Sequence, residues 1–201
     1  MRLPTTAHTA QPWRIHEIAY DFRIEDVWAL PTPGGPDDFP QLIAIVTSTD
    51  PERGTSAAVR ALFALRWKLG ALLGWDDESS ATAARVTTLR DRLPGDLRDG
   101  SAPELEASRP FSGLYVAENE WAAEIANRTM HGVMHLSWVP DGAGAYRGQM
   151  AVLVKPNGLL GRAYMAAILP FRYLIVYPRM LDAIGRRWRA RVPATPASVG
   201  R

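Results

Sequence analysis

The chain has 201 residues, of which 47% are hydrophobic and 22% charged, and its mean hydropathy is -0.13. This composition excludes wholesale disorder, a collagen-like repeat and a membrane bundle, and the length favours one domain with its own core. The formal net charge is only +2, so the overall charge predicts no nucleic-acid partner. Cysteine is absent, which excludes disulfides, thiolate nucleophiles and cysteine-ligated zinc.

Two segments bear on location. Residues 1–13 contain Arg2 but no continuous apolar run, so we expect no signal peptide. The most apolar stretch, Leu159 to Ile184, is interrupted by arginines and two prolines before 18 uncharged residues accumulate, so we expect no transmembrane segment. Together with the lack of cysteine, these features lead us to expect a cytoplasmic protein.

The first half of the chain predicts one strand and two helices. Residues 13–20 alternate in a way typical of a strand, and residues 21–30 predict a short helix that ends in a loop rich in proline and glycine. Residues 55–74 carry apolar side chains at helical spacing and predict a longer helix. Residues 76–110 predict a long connection, either a functional lid or, as we favour, a solvated loop.

From residue 111 the pattern has period two. Residues 111–118 and 121–128 predict short strands, and the turn signal at 140–144 predicts a hairpin whose even-numbered positions are apolar and buried. If Val139 pairs with Ala145, Trp138 opposes Tyr146 and Met134 opposes Met150. The odd-numbered positions of the hairpin are then predicted to face solvent.

The last part of the chain predicts the longest element. Asn157 is a suitable N-cap, and the helical pattern runs to about Trp188. Pro170 and Pro178 cannot donate backbone hydrogen bonds, so we expect kinks or a break in this helix. We expect one domain over residues 1–191 and a flexible polar tail at 192–201.

This order of elements resembles the α+β helix-grip fold of START-like (SRPBCC) proteins, in which an antiparallel sheet wraps on a long C-terminal helix. Three segments also resemble the domain-of-unknown-function family 2867: Tyr146-Arg147-Gly148-Gln149, Lys155-Pro156-Asn157-Gly158-Leu159-Leu160-Gly161, and Tyr164-Met165 followed by Pro170-Phe171-Arg172. The resemblance implies a fold but no reaction and no cofactor. No G-x-G-x-x-G fingerprint follows a strand, so a nicotinamide-binding role is not implied.

In the resembled fold, a pocket commonly opens between the sheet and the C-terminal helix. Arg172 at the edge of such a pocket would hold a carboxylate or phosphate, although a surface position is more common for an arginine. The side chains that would line this pocket would form a filled core equally well. The candidate ligand-binding residues are Met134, Trp138, Tyr146, Met150, Tyr164, Phe171 and Arg172.

No constellation predicts catalysis or a metal site. Four strand positions separate His131 from His135 by about 13 Å, too far for one zinc ion to bind both. We expect both histidines, and Glu120 and Glu124, to face outward. Asn127 is the polar residue to watch on the inward set, although a turn position suits it better. The nucleophile elbow and the phosphate loop are both absent from the sequence.

The sequence thus favours a domain that binds a small hydrophobic molecule. One alternative is a cavity enzyme of isomerase or cyclase type, positioned by Tyr146, Tyr164 and Arg172. Another is an interaction module, since residues 160–201 hold eight arginines and one aspartate. Its basic end, Arg186 to Arg191, would contact a membrane surface or a partner protein, and the dipole of a solvated helix end explains the same arginines without any partner.

Overall fold

The computed structural model describes residues 1–48, 87–98, 111–126, 129–142 and 144–191. The predicted helix at 55–74, most of the connection at 76–110, Asn127 and the predicted tail at 192–201 lie outside the described residues.

The described strands form one six-stranded antiparallel sheet, and this confirms the α+β class. Its spatial order is β1-β2-β6-β5-β4-β3, so the long central hairpin of β5 and β6 has β4 and β3 on one side and the N-terminal strands β2 and β1 on the other. The strands are β1 (Arg2–Leu3), β2 (Arg23–Ala29), β3 (Ser112–Val116), β4 (Glu120–Ala126), β5 (Met130–Pro140) and β6 (Tyr146–Pro156).

The helices cover this sheet from both sides. In the described ranges, the α-helices are α1 (Thr6–Thr9), α2 (Ile15–Ile18), α3 (Phe39–Thr47), α4 (Gly95–Arg98), α5 (Gly158–Phe171) and α6 (Tyr177–Ala190). Single 3-10 turns occur at Pro36–Asp38 and Leu89–Arg92, and a π-helical segment, Arg172–Val176, joins α5 to α6.

Two predictions near the N-terminus are wrong. Residues 13–20 contain helix α2 instead of a strand, and residues 21–30 contain strand β2 instead of a helix. The reason is tertiary: β2 pairs with the length of β6 and buries Val27 and Trp28, which outweighs the weak local preference of so short a segment.

The β5–β6 hairpin is confirmed, but its predicted register is wrong by two residues. Pro140 pairs with Tyr146, and Trp138 therefore lies opposite Gly148. A side chain at Gly148 would meet Leu42, since a Cβ there would lie 2.6 Å from its Cδ2 atom. A two-residue shift leaves every side chain on its predicted face, so the even-numbered positions are still buried together.

The first sheet face, formed by the even-numbered positions of the hairpin, packs against α3 and α6. Trp138 lies between Phe39 and Trp188, with ring centroids 6.3 and 5.6 Å away. The indole nitrogens of Trp138 and Trp188 donate to the backbone carbonyls of Gly35 and Pro33, each at 2.9 Å, in the loop that precedes α3. These bonds satisfy the polar atoms of the two rings and hold the loop against the core.

The second sheet face is also buried, which the period-two pattern did not predict. Helices α1 and α2 cover it on one side, and the segment from Leu89 to Leu97 covers it on the other. Apolar side chains such as Ile15, Leu89 and Tyr115 form a second core there. The prediction that odd-numbered hairpin positions face solvent is therefore wrong.

The expected break in the C-terminal helix is confirmed as the π-helical segment between α5 and α6. Pro170 lies inside α5 and Pro178 at the start of α6, and neither can donate to the preceding turn. Searched over the described residues, no helix has the length and apolar character needed to cross a bilayer.

Candidate functional site

Two histidine–glutamate pairs lie side by side on the second sheet face. In the register of β4 and β5, Glu120 is diagonal to His135 and Glu124 is diagonal to His131. The Nε2–Oε2 distances are 2.9 Å for the first pair and 2.7 Å for the second. All four side chains are buried, so the expectation that they face outward is wrong.

The pair of Glu120 and His135 extends into a longer chain of hydrogen bonds. Glu120 also accepts from the Tyr115 hydroxyl at 2.8 Å and from the backbone N–H of Arg14 at 2.9 Å. On its other side, His135 Nδ1 lies 3.0 Å from Nε2 of His8. Because the carboxylate can only accept, His135 carries its proton on Nε2, and His8 Nε2 donates to His135 Nδ1.

The electrostatics of this hydrogen-bonded group favour neutral imidazoles of His8 and His135 beside an ionised carboxylate of Glu120. Burial, with help from His135 and His16, lowers the pKa of His8 to about 2. Burial also lowers the pKa of His135, against the opposing pull of Glu120. Burial alone would raise the pKa of Glu120, but its bonds from His135, Arg14 and Tyr115 outweigh burial and lower it.

The second pair is fixed by the segment that covers β4. Glu124 accepts from the Thr88 hydroxyl and, at 3.0 Å, from the backbone N–H of Leu89. These bonds and the bond from His131 outweigh burial and lower the pKa of Glu124. The ring of Phe22 packs edge-on against His131, with centroids 5.0 Å apart.

Several polar atoms near the first pair have no hydrogen-bond partner among the described residues. They are Nδ1 of His8, Nε1 of Trp13 and Oγ of Ser137. The ring centroids of His8 and Trp13 lie 6.4 Å apart, so the first two of these atoms belong to neighbouring side chains of one group. Burying polar atoms without hydrogen bonds lowers the free energy of unfolding, and this group therefore reduces the stability of an otherwise apolar layer.

A surface cleft of about 380 Å³ opens beside these pairs, between the N-terminal helices and the sheet. His16 connects the cleft to the buried chain, because its ring packs edge-on against His8 at 4.9 Å and its Nε2 donates weakly to the His8 carbonyl at 3.4 Å. Phe22 connects it to the second pair. The cleft is lined by Thr5, Thr9, His16, Ala19, Tyr20, Phe22, Ile24 and Leu153.

Metal binding is not supported by the two pairs. Over the described ranges, no group of three or more histidine or acidic side chains is placed to hold an ion. The two histidines point to different carboxylates, consistent with their separation along the strand.

Four of the predicted ligand-binding residues, Met134, Trp138, Tyr146 and Met150, belong to the core on the first sheet face, opposite to the cleft. Trp138 and Met150 are fully buried in the core, whereas Met134, Tyr146 and Phe171 are half-buried. The side chain of Tyr164 lies outside what the structure describes.

Arg172 is buried in an ion pair. Its guanidinium contacts Asp26 at 2.5 Å, and Asp26 also accepts from the hydroxyls of Tyr173 and Tyr177. Burial alone would lower the pKa of Arg172, but Tyr177 and Asp26 outweigh it and raise the pKa. Nη1 of Arg172 is buried without a partner, so the guanidinium retains one donor that Asp26 does not use.

The arginines at the end of α6 make contacts within the chain. Arg186 pairs with Asp182. Arg191 lies over the ring of Trp188 at 3.5 Å, donates to Gln41 at 3.0 Å and lies 3.3 Å from Asp38. Such contacts account for several of the basic residues without an external partner.

Sequence reasoning missed His8, His16, Tyr115 and the two pairs. A signal was present: Glu120 and Glu124 are four residues apart on one predicted strand, and His131 and His135 have the same spacing on the next. Equal spacing on neighbouring antiparallel strands allows two matched cross-strand pairs. His8 on α1 and His16 on α2 follow no comparable spacing in the sequence.

The chain is thus a compact α+β protein with an antiparallel sheet covered on both faces, a buried histidine–glutamate cluster on one of them and an adjoining cleft. It belongs to the family described as protein of unknown function (DUF2867), whose model matches residues 18–179. No curated protein and no solved structure shows significant similarity to the chain.

Proposed function

We propose that this protein binds a small, mainly hydrophobic molecule in the cleft between the N-terminal helices and the sheet. The observation that carries the proposal is the lining: Leu153, Ile24 and Phe22 supply apolar surface, while Thr5, Thr9 and His16 supply polar groups. A volume of about 380 Å³ suits a compact organic molecule. The ligand has an apolar body and a hydroxyl or carbonyl group that reaches the polar side.

The proposed ligand is of the class expected from the sequence, but its proposed binding site lies on the other face of the sheet. The helix-grip arrangement would place the ligand between the sheet and α6, near Trp138 and Arg172. Aromatic rings pack closely there, and Arg172 is occupied by Asp26. The open cleft on the opposite face is the better supported position.

The test uses two tryptophan substitutions on the same short helix. Thr9 lines the cleft and Thr6 does not, and both are exposed, so each variant should fold. We expect Thr9→Trp to weaken binding of an anilinonaphthalene sulfonate probe at least tenfold, and Thr6→Trp to bind as the wild type does. Native mass spectrometry of the purified wild type should also detect a bound small molecule.

Two results would overturn the proposed position. Equal probe binding by Thr9→Trp and wild type would exclude the cleft. Weaker binding by Met134→Ala, with Thr9→Trp unchanged, would place the ligand on the first sheet face instead.

The second candidate is an enzyme of isomerase type in the same cleft, and His16 is the observation that favours it. It is a titratable side chain that lines the cleft and contacts the buried chain of His8, His135 and Glu120. A reaction by proton transfer predicts that a ligand identified by mass spectrometry incorporates deuterium from heavy water in the presence of the wild type. His16→Gln should bind that ligand and not exchange it; equal exchange would exclude this role for His16.

A further inference from the structure

Helix α5 presents apolar side chains to solvent. Leu159 is 78% exposed, and Leu174, in the π-helical segment, is 77% exposed. Ala163, Ala166 and Pro170 lie between them and are also exposed. These five residues are three or four positions apart, so they form one continuous stripe along the helix, named here the outer stripe.

The opposite side of α5 already packs against the protein. Met165 is buried, and Gly161 lies so close to Thr129 that a Cβ would overlap its carbonyl oxygen. A helix that covers a sheet normally directs its apolar side inward and its polar side to water. On α5 the side directed to water is also apolar, which indicates a surface that meets an apolar environment.

The charges around the outer stripe identify that environment. Arg162 is exposed beside the stripe, and exposed Arg179 lies after the helical segment. Lys155, before the helix, is already paired with Asp21 at 2.7 Å. The sequence has no acidic residue between Asp141 and Asp182. An apolar stripe with exposed Arg162 beside it and no acid within its own segment is complementary to a bilayer interface with anionic lipids.

We propose that α5 and the π-helical segment lie in the interface of an anionic membrane, with the outer stripe inserted among the acyl chains. The exposed guanidinium of Arg162 then contacts a lipid phosphate. No helix in the described ranges is long and apolar enough to cross a bilayer, so this is a peripheral contact that salt weakens. It uses no residue of the cleft and stands independently of the proposed ligand.

A second copy of the chain is the less favoured occupant. Two outer stripes packed against each other would bring the flanking cations of both copies together, with no acid in residues 142–181 to neutralise them. Like charges that face each other across an interface oppose association.

The experiment measures co-sedimentation of the full chain with vesicles of phosphatidylcholine alone and of phosphatidylcholine with 30% phosphatidylglycerol. The test variant is Leu159→Glu/Leu174→Glu, and the control is Gln11→Glu/Ser112→Glu, which adds two carboxylates at exposed positions elsewhere. Circular dichroism confirms that both fold. We expect the wild type and control to bind the anionic vesicles, the test variant to bind at least tenfold less, and 0.5 M salt to weaken binding.

Three results would overturn the proposal. They are no wild-type binding to anionic vesicles, equal binding by the test variant and the control, or binding to neutral vesicles of the same strength. Sedimentation velocity is run in parallel: a wild-type dimer that dissociates in Leu159→Glu/Leu174→Glu would assign the outer stripe to a second copy and exclude the membrane.

Discussion

Loss of stability in mild acid is the most specific prediction of the buried histidine cluster. His8 is fully buried, and its pKa is lowered to about 2, whereas an unfolded histidine has a pKa of about 6.5. Below pH 6.5 the unfolded chain therefore binds a proton at His8 that the folded chain does not bind. Stability is retained above pH 6.5 and falls as the pH drops below it.

The magnitude follows from the difference in proton binding. At pH 5.0 the unfolded form gains about 2 kcal/mol from protonation of His8, relative to pH 7.5. His135, whose pKa is also lowered by burial, adds to the same slope. The lowered pKa values of Glu120 and Glu124 act in a separate window, because stability from a carboxylate is lost only below its unfolded pKa of about 4.3.

The assay is urea unfolding at pH 7.5, 6.5, 5.5 and 5.0 for the wild type and His8→Gln. Glutamine is neutral at every pH and can still donate to His135 Nδ1. The wild type should lose about 2 kcal/mol more than the variant between pH 7.5 and 5.0. The same pH slope in both proteins, or no slope in either, would refute the assignment of His8 as a neutral buried imidazole.

Three further predictions concern packing and charge, and all are measured by urea unfolding at pH 7.5. Arg172→Met should cost about 3 to 5 kcal/mol because it takes the closest cation away from the buried carboxylate of Asp26, and Asp26→Asn/Arg172→Met should recover part of that loss. Gly161→Ala should cost about 1 to 3 kcal/mol because its methyl group overlaps the Thr129 carbonyl. Trp188→Ala should cost about 3 to 5 kcal/mol, since it removes a buried ring from the first sheet face. A loss below 0.5 kcal/mol in any single variant would contradict the contact concerned.

Local sequence information was sufficient for the central hairpin and insufficient for the N-terminal elements. The turn at 140–144 and the strict alternation on both arms are signals confined to neighbouring residues, and the hairpin is confirmed. Strand β2 depends on pairing with β6, which lies more than 100 residues further along the chain. No local pattern in residues 21–30 carries that information.

The second sheet face shows why polar alternation is an incomplete guide to burial. Histidine and glutamate at alternate positions of a strand are typical of a solvated face. Here both glutamates find partners on the next strand and on a covering segment, as Glu124 does with His131 and Leu89. Burial of such residues is tolerated when they are paired, and the pairing depends on tertiary contacts.

The break in the C-terminal helix explains how one sequence pattern becomes two different surfaces. At 100° per residue, Tyr177, Ile184 and Trp188 on α6 would point in the same direction as Leu159, Ala163 and Ala166 on α5. An unbroken α-helix would therefore direct both sets to one side. A π-helical turn takes up one more residue than an α-helical turn, which rotates the following side chains by about 100°. The segment Arg172–Val176 therefore separates the two sets, and the α6 set enters the core while the α5 set remains outside. Periodicity alone predicts a single buried stripe over the whole length, and the break between α5 and α6 is what leaves apolar side chains of α5 exposed.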